Sequence, residues 1–224
     1  MTITGITSTI IPAHLPAKPA VTSAEQAAPY LAHSVEDERH ARAKAFYTRE
    51  AEPWLKGYNK SEMTPEQSAA AKEMYLSELK RDSIDALKSQ GEHYGKCLTE
   101  VGIYRQDLAK KNFSYTLGDD GKVKLLDPEN SFTEHERKYL TSLLNEDKKF
   151  TNSVVKFAKL AMELVDHDDK AFGGKYKLNL LNFKDTVDYR KLMTSDSQDI
   201  YKNLISQILE KGEKREEPLV DVVA

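Results

Sequence analysis

Phe113-Ser114-Tyr115-Thr116-Leu117, then Gly118-Asp119-Asp120-Gly121, then Lys122-Val123-Lys124-Leu125-Leu126 is the stretch that decides how the middle of this chain folds. Large apolar residues fall on every second position of the first run, which puts Phe113, Tyr115 and Leu117 on one face of a strand and a polar set on the other. Two glycines free to take positive φ, and two Asp side chains able to bond nearby backbone, predict a reversal at 118–121. The last run returns as the antiparallel partner. Two strands alone are marginal in water, so the apolar face of this hairpin needs a cover.

The residues that follow are suited to supply it. Thr133 with Glu136 three positions on is a capping box, and Tyr139, Leu140, Leu143 and Leu144 give the helix it starts an apolar stripe. A break is expected at 145–147. The next helix aligns Phe150, Val154, Phe157, Ala161 and Leu164, with Lys149, Asn152, Lys156, Lys159 and Glu163 opposite. Residues 112–165 are thus the expected structural centre.

Upstream, residues 1–33 stand apart: no acid precedes Glu25, and four of the 8 prolines fall there, at positions 12, 16, 19 and 29. Such a segment buries too little to offset its ordering entropy and is expected to be a disordered leader. It has neither the basic start and apolar run of a signal peptide nor the arginines of a mitochondrial leader. Its acid-poor, Ser/Thr-rich composition resembles the unfolded export signals of bacterial type III secretion substrates, a resemblance of composition that implies export from a bacterium, while a plain flexible terminus is the simpler reading. Ser34, with acids at 36–38, predicts a helix start and Pro53 a stop; the helix runs toward Ala51 with a thin face of Val35, Ala43, Phe46 and Tyr47. Trp54 then serves as a packing anchor.

Thr64-Pro65-Glu66-Gln67 opens a long helix carrying Tyr75, Leu76, Leu79, Ala86 and Leu87 on one face, with Gly91 as its expected stop. A second helix is expected over Tyr94, Cys97, Leu98, Val101, Tyr104 and Leu108, the alternative at Gly102 being a site where another backbone approaches closely. Downstream of the centre, residues 166–175 read as a polar loop. Tyr176-Lys177-Leu178-Asn179-Leu180 alternates like a strand and is placed to extend the hairpin to three strands. A short helix is expected around 186–193. Ser195 or Asp196 caps a last helix bearing Ile200, Leu204, Ile205 and Ile208, which Gly212 ends. The fold class is therefore α+β and predominantly helical: five to six helices around a small antiparallel hairpin in a single domain over 34–212, with a disordered leader at 1–33 and a flexible tail at 213–224.

Composition narrows the function classes. With 33 basic and 36 acidic residues the net charge is −3, so no global positive field points to nucleic acid or acidic membranes. No apolar run reaches the roughly 20 residues a membrane helix needs, and a soluble, cytoplasmic chain is expected, with export through the leader as the further expectation. A single cysteine, Cys97, excludes an internal disulfide framework and a cysteine-rich zinc module.

Candidate chemistry is sparse. His93 and Cys97, four apart on one helix side, have the spacing for an imidazole to activate a thiolate or for both to bind a metal; the apolar stripe around Cys97 favours a packed, inert thiol. Asp166-His167-Asp168-Asp169 has the groups for a hard cation or for acid/base work, but its neighbours diverge and a solvated loop is the plainer reading. Glu134-His135-Glu136 fits a first helical turn, Gly173-Gly174-Lys175 lacks the rest of a phosphate loop, and Asp119-Asp120-Gly121 suits a turn better than a calcium loop. The apolar end, Pro218-Leu219-Val220-Asp221-Val222-Val223-Ala224, reads as a frayed terminus or as a segment docked on this same chain. No catalytic, cofactor-binding or metal residue is assigned, and no cofactor is expected. The expected function is a non-catalytic protein–protein interaction module with a protein partner. The alternatives are an enzyme assembled from distant residues, centred on 166–169 or on His93 with Cys97, and a nucleic-acid-binding helical protein. The last requires the arginines of the first helix and the lysines of 148–164 to share one face.

Overall fold

The computed structural model describes the backbone of residues 24–193 and 199–219, with side chains from residue 34 onward. The chain divides into two units, Met1–Glu36 and Asp37–Ala224, and the second holds the core. Helix α1 covers Ala24–Phe46. It begins ten residues before the start predicted at Ser34, in a run of Ala, Glu and Gln that are strong helix formers. It stops short of Ala51: Tyr47 N still donates to Ala43 O, Thr48 Oγ1 turns back onto Lys44 O, and the chain leaves the helix there. A 3-10 turn, Pro53–Leu55, buries Trp54 and Leu55, as an anchor should.

Helix α2 spans Pro65–Tyr104, opened by the expected capping box of Thr64 and Gln67. Gly91 does not end it, contrary to the sequence expectation. Each interior glycine costs about 1 kcal/mol relative to alanine, yet Tyr94 and Val101 beyond it are buried and keep the helix on the core. Nor does Gly102 receive another backbone, since a Cβ there would meet nothing within 4 Å. The helix ends at Arg105, and Leu108 sits buried in a separate short helix, α3, Gln106–Ala109.

Strands β1, Ser114–Leu117, and β2, Val123–Leu126, pair antiparallel with Tyr115 opposite Leu125 and Leu117 opposite Val123. The turn is closed by Gly118 N on Lys122 O at 2.8 Å and by Gly121 at φ +74°. The polar face is covered too. Ser114 and Thr116 are buried; Thr116 Oγ1 donates to Val187 O at 2.7 Å, and Ser114 Oγ bonds Asp188. On the other face the Tyr115 ring lies among Tyr94, Phe150 and Tyr189, with centroids 4.9–5.1 Å away.

Helix α4, Glu134–Glu146, carries the predicted Thr133 capping box, and α5, Lys148–His167, follows after Asp147. Val154, Phe157, Ala161 and Leu164 of α5 are fully buried. His93 of α2 meets Asp147 at one end of α5 while Lys80 meets Asp168 at the other, so the two helices run antiparallel.

The remaining elements are short: α6 (Asp169–Phe172), β3 (Tyr176–Lys177), α7 (Phe183–Thr186), α8 (Tyr189–Met193), α9 (Ile200–Lys211) and β4 (Glu213–Lys214). The third strand expected on the hairpin is instead part of a separate pair, β3 with β4, in which Tyr176 is opposite Lys214. The helix expected around 186–193 is two turns separated at Val187. The tail expected from Glu213 begins within the fold: Arg215 N donates to Lys175 O and Leu219 N to Gly174 O. Ser195, Asp196 and residues 220–224 lie outside the described residues, as does the leader before residue 24.

Candidate functional site

The 166–169 run is not a solvated loop. Asp166 and His167 complete α5, Asp168 caps α6, and all three are buried. Their side chains diverge onto separate partners. Asp166 accepts from Tyr47 Oη at 2.9 Å and pairs with Arg215. Asp168 accepts from Lys80 Nζ at 2.7 Å, from Tyr201 Oη at 2.6 Å and from the Ala171 amide at 3.1 Å. Asp169 holds Lys72 Nζ at 2.6 Å. The His167 ring stands edge-on to Trp54, centroids 5.4 Å apart, and to Tyr75 at 6.4 Å.

Environment sets the charge states. Burial pushes the Asp166 carboxyl above the usual range, outweighing the Tyr47 hydroxyl and the Arg215 guanidinium that oppose it. Burial acts on Asp168 as well, but Lys80, Tyr201 and the Ala171 amide win and hold it below that range. The Tyr47 and Tyr201 phenols are driven far up, first by burial and then by the carboxylates they bond, so both serve as fixed donors. Among the described residues no three His, Cys, Asp or Glu side chains gather to hold a metal ion.

His93 and Cys97 line one small groove together with Asp147. His93 Nδ1 is 2.6 Å from Asp147 Oδ2, and burial pushes the Cys97 thiol up to about 11, the reverse of what a reactive thiolate needs. Asp147 and Asp166 stand at opposite ends of α5, so the two candidate clusters never converge. The remaining motifs make contacts or turns within the fold. Glu136 caps α4 and binds Lys111 at 2.9 Å; Gly173 and Gly174 turn the chain at positive φ; Asp120 of the hairpin turn bonds Lys124 of β2. Arg39 and Arg42 of α1 both reach Asp119 of that turn, and Lys159 of α5 lies 5.1 Å from the Phe46 ring, so part of the basic face is spent on internal contacts.

Sequence reasoning missed a groove. Residues 53–63 and the first turns of α2 enclose about 710 Å³, with Trp54, Tyr58 and Met63 on one wall and Ala70, Ala71 and Met74 on the other. Tyr58 and Met74 are 58% and 65% exposed, which is unusual for such side chains. Met74 breaks no periodicity and Tyr58 lies in a loop, so only the exposure reveals them. Around the helix, Lys72, His167, Asp168 and Asp169 line a second groove of about 570 Å³. Comparison with protein-family models, with curated proteins and with solved structures finds no match to this chain.

Proposed function

We propose that this chain is a non-catalytic protein-interaction module. The supporting observation is that the ionisable groups the sequence singled out are closed onto partners of the same fold. Asp166 is held by Tyr47 and Arg215, Asp168 by Lys80 and Tyr201, Asp169 by Lys72, and His93 by Asp147. A general base or nucleophile has to be presented to a substrate, whereas these groups tie helices together. Large apolar side chains meanwhile face solvent, Tyr58, Met74, Ile103 and Tyr104 among them, as they do where partners dock.

The test separates binding from turnover. His93→Gln and Cys97→Ser in the full chain should each retain whatever partner the parent chain captures from its source cells. A hydrolase or transferase turnover that disappears with either replacement overturns the reading. A second reading, an enzyme built from distant residues, draws on His167 and Asp168 lining the 570 Å³ groove; it requires a substrate-dependent rate that Asp168→Asn removes while the fold persists. Bacterial export rests on the composition of residues 1–33, and unchanged delivery to the medium on deleting residues 2–33 would exclude it.

A further inference from the structure

We infer, on the reading that this chain is a binding module, that the groove between residues 53–63 and the start of α2 receives an amphipathic helix of a partner protein, with an apolar ridge flanked by Lys or Arg. Shape argues for a helix. From Gln67 to Glu78 the α2 wall runs about 16 Å at 1.5 Å per residue, enough for anchors at i, i+4 and i+7 of a docked helix. Ala70 and Ala71 leave room for a backbone to approach, while Met63 and Met74 are side chains that reshape around varied apolar partners.

Charge argues for a basic one. Among the described residues Glu62 and Glu78 line the groove and no Lys or Arg does; the cations beside it, Lys60 and Lys72, are paired with Glu52 and Asp169. Among the described residues the Glu62 carboxylate meets the neutral Asn59 amide, at 2.6 Å, and the neighbouring Glu66 is exposed. This rim repels an anionic lipid surface and an acidic peptide alike, and steers a cationic one. Trp54, one of the lining residues, is itself 6% exposed. Trp54 is also the only tryptophan of the chain, which gives the groove a built-in reporter.

The probe is an 18-residue Leu/Lys amphipathic helix without tryptophan, with a Leu/Glu helix of the same apolar ridge as control, each titrated against the full chain while Trp54 emission is followed. The Leu/Lys helix should shift the emission saturably and the Leu/Glu helix should bind at least tenfold more weakly. Met74→Lys, a change at an exposed position, should weaken the Leu/Lys helix at least tenfold, and the double replacement Glu62→Lys, Glu78→Lys should reverse the preference between the two helices. A reversal cannot come from misfolding. Equal binding of both helices, binding of neither, or a preference untouched by the charge reversal overturns the inference. So does concentration-dependent dimerisation that Met74→Lys abolishes, because the occupant is then a second copy. A cellular partner still captured by Met74→Lys would remove the groove and leave the module reading standing, whereas a turnover lost with His93 or Cys97 would remove the module reading itself.

Discussion

The two ends of α5 are held by opposite means. At the amino end one residue does most of the work: Asp147 accepts the Lys149 and Phe150 amides at 2.9 and 3.1 Å and meets His93 across the interface with α2. Burial raises its pKa, but the Phe150 amide, the imidazole and the Lys149 amide outweigh burial and hold the carboxyl below the usual range. At the carboxyl end Asp166 is tied to Tyr47 and Arg215, and there burial wins and the carboxyl is raised. A cap drawn from adjacent residues comes with the helix itself. A lock drawn from distant elements is only as good as the fold that assembles it.

Arg215→Ala tests that contrast most severely. Asp166 would be left buried without its ion-pair partner, with the weaker pull of His167 and Arg49 remaining, and breaking a buried pair costs about 3–5 kcal/mol. Urea unfolding at neutral pH should show the loss, and acidification should shrink it because a protonated Asp166 needs no counter-ion. A loss under about 1 kcal/mol, the value of an exposed pair, would break the comparison.

Gly174→Ala attacks the same end through the backbone. Gly174 sits at φ +65°, and a Cβ there would fall 2.0 Å from Leu219 O, so the 213–219 segment has to shift. A loss of about 1–3 kcal/mol is expected, with faster amide exchange at Arg215 and Leu219, whose N–H groups bond Lys175 O and Gly174 O. Unchanged exchange there would mean that the segment contributes nothing to the lock.

Asp147→Ala should cost less, about 0.5–2 kcal/mol for a lost cap, and the pH dependence gives the sign. Because its folded pKa is lowered, the Asp147 contribution is full above the unfolded carboxylate value of about 3.9 and is lost as pH falls through the folded value. Asp166 runs the other way: its folded pKa is raised, so its contribution is greatest below the unfolded value and declines as pH rises through the folded one. Thermal unfolding of Asp147→Ala and of the parent chain from about pH 3 to 7 should show the deficit close at the acid end. A deficit that persists there would mean that the carboxylate charge is not what holds the amino end.

What the sequence made legible follows the same division. The hairpin, the Thr64 and Thr133 capping boxes and the break before α5 are signals contained within a few residues, and the fold keeps them. The lock at 166–169 is invisible in that window because its partners lie far off: Tyr47 is 119 positions from Asp166, Arg215 is 49, and Tyr201 is 33 from Asp168. Four acidic and imidazole groups in a row therefore read as solvated when three of the four are buried. Gly91 misled for a related reason: local propensity favours a stop there, and the burial of Tyr94 and Val101, a tertiary effect, overrides it.

Gly95 offers the gentlest probe of whether the amino end is as tightly built as the carboxyl end. It lies inside α2 two positions after His93, is exposed, and a Cβ added to it would meet nothing within 4 Å. Alanine there should then stabilise the chain by about 0.5–1 kcal/mol, since it lowers the backbone entropy lost on folding and adds no clash. A modest rise in the urea midpoint with an unchanged slope is the expected reading. The gain comes entirely from the helix, so it should add to the Asp147→Ala loss without coupling, as changes that share no partner do. Destabilisation by Gly95→Ala, or strong coupling to Asp147, would mean that this face of α2 is occupied and that the amino end, like the carboxyl end, depends on contacts reaching beyond its own turn.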